Sequence, residues 1–193
     1  MLGQIKRFWP LFLAVAAVPL LVLFIFLFST GRLFSYDGSR ERRATTILSQ
    51  EIIDLTGRTN KMIESVNLSD LRGDSTQARS LIEEARKNNG EAFQKAVILA
   101  KELENWTKAI PEMSSPTVQR SAYDLAAAES ALIGEFISYT GDLNKFLNAL
   151  SAAVVTDNYV DRAAIEQNLA AVNQRIAAIN RISAEFARMS RGF

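Results

Sequence analysis

The chain has 193 residues, 22 of them basic and 21 acidic, with no cysteine and no histidine. A near-neutral balance argues against nucleic acid as a partner, because phosphate binding needs a basic surplus. Without His or Cys the chain cannot supply a Ser-His-Asp triad, a Cys nucleophile, a typical zinc site or the Glu-x-x-His pairs of di-iron bundles.

The first element is "FWPLFLAVAAVPLLVLFIFLF", which runs from Phe8 to Phe28 without a charge. As a helix it would be ~32 Å long at ~1.5 Å per residue, against a hydrocarbon core of about 30 Å. Secretory h-regions are shorter, about 7–15 residues. The run therefore reads as an uncleaved signal-anchor, although Ser29-Thr30-Gly31 offers a small-x-small cleavage pattern. Trp9 near one end, and Phe34 with Tyr36 beyond the other, suit interfacial aromatic belts. The tail before the run holds Lys6 and Arg7 and no acid, which favours sending the downstream domain outward. Arg32, Arg40, Arg42 and Arg43 pull the other way, diluted by Asp37 and Glu41. The expectation is a single-pass protein of the cell membrane with an extracytoplasmic domain.

Four segments then carry the 4-3 spacing of an apolar seam, as coiled coils do. The first is Leu48, Ile52, Leu55, Thr59, Met62 and Val66. The second runs Ala78, Ile82, Ala85, Asn89, Ala92, Ala96, Leu99, Leu103, Trp106 and Ile110. The third runs Val118, Ala122, Leu125, Glu129, Leu132, Phe136, Tyr139, Leu143, Phe146 and Leu150. The fourth is Ile165, Leu169, Val172, Ile176, Ile179, Ser183 and Phe186. "NLSDLRGDS" (67–75), "PEMSSP" (111–116) and "TDN" (156–158) separate them. Asp74 or Ser75 is expected to cap the second helix, and Ser115 with Pro116 to start the third. Asn158 and Asp161 suit the first turn of the fourth. Short connections make neighbours antiparallel. The expected fold is all-α: one N-terminal transmembrane helix, then an up-down-up-down four-helix bundle. Its parts are a tail (1–7), a spanning helix (8–30), a juxtamembrane joint (31–39) and the bundle (40–193).

This layout resembles the sensor half of bacterial chemoreceptors, over residues 8–190 and in architecture only, with no shared motif. The resemblance implies a ligand-sensing bundle that signals through a partner protein, since no second span is present. A phage spanin-like bridge fits less well, because repeated turns interrupt any single extended coiled coil. Composition and spacing favour a membrane-anchored interaction or scaffold protein, a small subunit of a cell-envelope complex. Its expected partners are the lipid bilayer and another protein or a second copy of itself.

Catalysis is not expected, and no cofactor or metal is implied. Glu83-Glu84 and Glu102 with Glu104 diverge around a helix and read as solvated face. Glu129 is the one charge in an otherwise apolar seam, so it must pair, protonate or reach water. It reads as a register-setting residue or as a contact for a ligand or partner. Arg58, Lys101, Arg175 and Arg181 are its expected neighbours in height. Trp106 reads as core or as a docking anchor. Arg40, Arg42, Arg43, Arg188 and Arg191 gather at one end of the bundle, as candidates for lipid headgroups or as helix-end charge.

Overall fold

The computed structural model describes residues 39–113, 115–155 and 162–190. They form four long α-helices: α1 (Ser39–Leu71), α2 (Ser75–Ala109), α3 (Pro116–Val155) and α4 (Arg162–Ser190). A single 3₁₀ turn, Ile110–Glu112, comes after α2.

Local chemistry explains the breaks. Helix α1 continues through most of "NLSDLRGDS" and stops only at Leu71. The reversal uses Gly73 at φ +76°, a conformation that suits a residue without Cβ. Asp74 then caps α2, its carboxylate accepting from the Gln77 N–H at 2.9 Å. After α2, Pro111 lies in the 3₁₀ turn, and α3 begins at Pro116. The Gln119 side chain donates to the carbonyls of Pro111 and Met113 and ties that turn to α3. Gly90 does not interrupt α2, which is continuous from Ser75 to Ala109. Asn158 and Asp161 lie outside the described residues.

Helix α2 packs on α1 and on α3, and α3 packs on α4. The fourth seam is buried throughout, from Ile165 to Phe186. The third is buried from Ala122 to Leu150, but Val118 is 45% exposed, because α3 begins beyond the end of the packed core. One core joins residues of all four helices, among them Leu55, Ile82, Leu143, Phe146 and Val172. A smaller cluster at one end joins α2 and α3 through Leu103, Ile110, Ala122, Ala126 and Ile133.

The spanning helix expected over 8–30 requires a correction. No helix among the described residues is long and apolar enough to cross a membrane. The reason is visible in α3, the longest, whose outward face carries Asp124, Gly134, Asn144 and Lys145. The Phe8–Phe28 run, the cleavage pattern and the joint lie outside the described residues. What stands is an all-α four-helix bundle. The single-pass anchor, the bilayer partner, the envelope-scaffold role and the extracytoplasmic location are not carried further.

Two outcomes check this architecture. A fragment of residues 39–190 is expected to show well over half helix by circular dichroism and one cooperative melt. A gradual, noncooperative melt would mean that the core is completed from outside the bundle. Phe146 is 1% exposed, so Phe146→Ala is expected to cost about 3–5 kcal/mol in chemical denaturation.

Candidate functional site

The heights of side chains in the bundle are set by cross-helix bonds. Lys95 of α2 pairs with Glu51 of α1 at 2.6 Å. Asn88 of α2 donates to Met62 Sδ of α1 at 3.4 Å. Asn89 of α2 donates to the Thr140 carbonyl of α3 at 2.8 Å. Arg175 of α4 bonds Glu135 at 3.0 Å and Asp142 at 3.1 Å on α3. Asp142 also accepts from Lys145, and that bond leads the causes that hold its carboxyl below its ordinary value.

This register places Glu129 level with Ala100 on α2, with Ser183 to Phe186 on α4, and within about a turn of Ser49 on α1. The residue is 4% exposed. None of the cations expected beside it arrives. Arg175 is committed to Glu135 and Asp142. Arg58 donates to its own helix at the Asp54 carbonyl, and Lys101 and Arg181 are exposed. Ser183 at the same height has a buried hydroxyl with no hydrogen-bond partner. Ser49 is buried as well. Burial alone pushes the Glu129 carboxyl up from 4.5 to about 8. It is therefore mostly protonated at neutral pH, as the cost of an unpaired buried charge requires.

A second polar level was not legible as a site in the sequence. Asn60, Asn89, Tyr139, Thr140 and Asn173 fall at one height, by the same register. Asn89 and Thr140 are satisfied, the latter through the Ile137 carbonyl. Three buried atoms are not: Asn60 Oδ1, Tyr139 OH and Asn173 Oδ1. Asn60 is nine residues from Glu51, about half a turn out of phase with it, so it faces away from α2. Asn173 is two residues from Arg175, roughly 200° around α4, so it faces away from α3. Both asparagines thus border the seam between α1 and α4. The inter-helix hydrogen bonds and ion pairs described join α1 to α2, α2 to α3 and α3 to α4. Close backbone packing involves the same three pairs, so the α1–α4 seam is the loosest side.

The remaining expected residues lie towards one end of the bundle, where α1 begins and α2 and α4 end. Trp106 is half-buried against the small α2–α3 cluster. Arg40, Arg42 and Arg43 belong to the first turns of α1, and Arg188 is exposed in the last turn of α4. Arg191 lies outside the described residues. No group of three acidic side chains able to hold a metal occurs among the described residues.

The buried acid makes stability depend on pH. The folded state keeps a proton on Glu129 that the unfolded chain releases above about 4.5. This contribution is therefore fully present below that value and is lost as pH rises towards 8, at about 1.4 kcal/mol per pH unit. Melting temperatures are expected to fall from pH 5.5 to pH 8 more steeply in the native chain than in Glu129→Gln. Parallel pH profiles would mean that Glu129 is paired or hydrated. Because Trp106 is only half-buried, Trp106→Ala is expected to cost less than the ~3–5 kcal/mol typical of a fully buried tryptophan.

No family model, curated protein or solved structure matches the chain.

Proposed function

We propose that the bundle is a binding module, not an enzyme, and that it holds a small polar molecule between its helices beside the α1–α4 seam. One observation carries this reading. Buried hydrogen-bonding atoms on α1, α3 and α4 stand at two heights of one bundle without partners. Each such group costs on the order of 1–3 kcal/mol when left unsatisfied. Four-helix bundles bind ligands in their cores, through side chains on facing helices.

A structural reading accounts for part of the polar content. Asn89 bonds the Thr140 carbonyl and Asn88 bonds Met62, so these two fix register with their own partners. Thr56 and Thr59 return their hydroxyls to carbonyls of α1. Register-setting does not explain Asn60, Asn173 and Ser183, whose buried oxygens bond nothing. Guests that hydrogen-bond them at the two heights do.

The test is a thermal-shift screen of the full chain against small polar molecules, covering amines, alcohols, amides and carboxylates. A binder is expected to raise the melting temperature by mass action. Asn173→Leu is expected to melt at or above the native temperature, since it removes an unsatisfied group, and to lose much of the rise given by a ligand held at its height, as Glu129→Gln is for a ligand held at the other. A screen with no binder would defeat the proposal. So would a binder whose effect is untouched by Asn173→Leu and Glu129→Gln.

A further inference from the structure

We infer that the molecule held in the bundle is an organic cation with a primary ammonium group, its charge met by the carboxylate of Glu129. This rests on the binding reading above and names the class of ligand. Glu129 is the one acid among the buried described side chains, and no lysine or arginine is buried with it. The unpartnered atom at the height of Glu129 is Ser183 Oγ, while Asn60 Oδ1, Tyr139 OH and Asn173 Oδ1 stand about 11 residues further along α3, or ~16 Å, beyond the reach of a small guest held at Glu129. A level with one carboxyl, one free hydroxyl able to accept and no buried cation among the described side chains complements a guest rich in donors. An ammonium has three donors, no acceptor and the matching charge. Among the described side chains an anionic guest would meet no buried cation and one acid.

Binding of this kind exchanges one cation for another. Glu129 enters mostly protonated and must lose its proton to pair with the ammonium, so the proton leaves to solvent as the amine binds. The charged groups nearest in height do not substitute for it. Glu51 on α1 is held by Lys95. On α2, Lys101 is exposed and Glu102 half-buried, and on α4 Arg181 and Glu185 are exposed. On α3 itself Asp124 is exposed and Glu135 is bonded to Arg175. Exposed groups of this kind keep their water, and only Glu129 gains its charge in the core.

The experiment compares butylamine, butan-1-ol and butyrate, matched in size, by calorimetry on the full chain. Butylamine is expected to bind with release of about one proton at pH 7, read from buffers of different ionisation heat. Its affinity is expected to rise about tenfold from pH 6 to pH 7, as the ionised fraction of a group titrating near 8 does. Glu129→Gln, which keeps the shape of the neutral acid, is expected to fold and to lose both the binding and the proton release. Butanol or butyrate binding as well as butylamine would overturn the ammonium assignment and leave the binding reading standing. Butylamine bound equally at pH 6 and pH 7, or equally by Glu129→Gln, would do the same. Binders of other classes in the wider screen, with no amine among them, would also overturn it, whereas an empty screen removes the binding reading itself.

Discussion

The bond from the Asn89 amide to the Thr140 carbonyl, 2.8 Å and buried, is the constraint on which the register of this bundle depends. An apolar seam by itself tolerates sliding, because Leu, Ile and Ala at equivalent positions pack almost equally well one heptad away. A buried amide does not tolerate it. Slipped out of register, Asn89 would lose its acceptor in a region without water and cost on the order of 1–3 kcal/mol. Once α2 and α3 are fixed to each other, Lys95–Glu51 sets α1 and the Arg175 fork sets α4. The heights that the buried polar groups share are consequences of these bonds.

The same interior treats its polar residues in two ways. Thr56, Thr59 and Thr140 return their hydroxyls to carbonyls within their own helices and are neutral in the packing. Ser183, Tyr139, Asn60 and Asn173 have no such exit. For Tyr139 and Glu129, burial disfavours the charged form and raises the value at which each titrates. Two of the unsatisfied groups, Asn60 and Asn173, border the side where none of the cross-helix bonds described joins α1 to α4. A loosely packed seam lowers the cost of admitting a guest, because the helices on either side move apart without breaking any of the cross-helix bonds described. Tight packing elsewhere, around Phe146, Leu143 and Val172, keeps the bundle a single cooperative unit while that side stays accommodating.

Much of the fold is local in origin and was legible from residue spacing. The seam of α4 is buried at every expected position. Asp74 caps α2, and Pro116 opens α3. These features arise from the 3.6-residue period and from the chemistry of single turns, which involve neighbours in the chain. Spacing also singled out Glu129, because a charge in an apolar seam is visible without any knowledge of what faces it. It failed where the outcome depends on length or on partners. Helix α1 overran "NLSDL" because helical hydrogen bonds continue until a residue such as Gly73 lets the chain reverse. Val118 fell outside the core because it lies in the first turn of α3, level with the 3₁₀ turn that follows α2 and not with α2 itself.

The sequence by itself determined that this chain folds as amphipathic helices joined by short turns, and that one carboxyl would be forced into their core. Those properties depend on side-chain period, turn residues and the cost of burying charge, all of which are written along the chain. Only the tertiary structure decided that Arg175 goes to Glu135 and Asp142 and not to Glu129. Only it brought Asn60 and Asn173, more than a hundred residues apart, to one height on one seam. The physical reason is that period fixes the face of a side chain but not its level. A level is set by the offset between helices, which a few cross-helix bonds, that of Asn89 to Thr140 buried among them, select among packings that the apolar residues alone cannot tell apart.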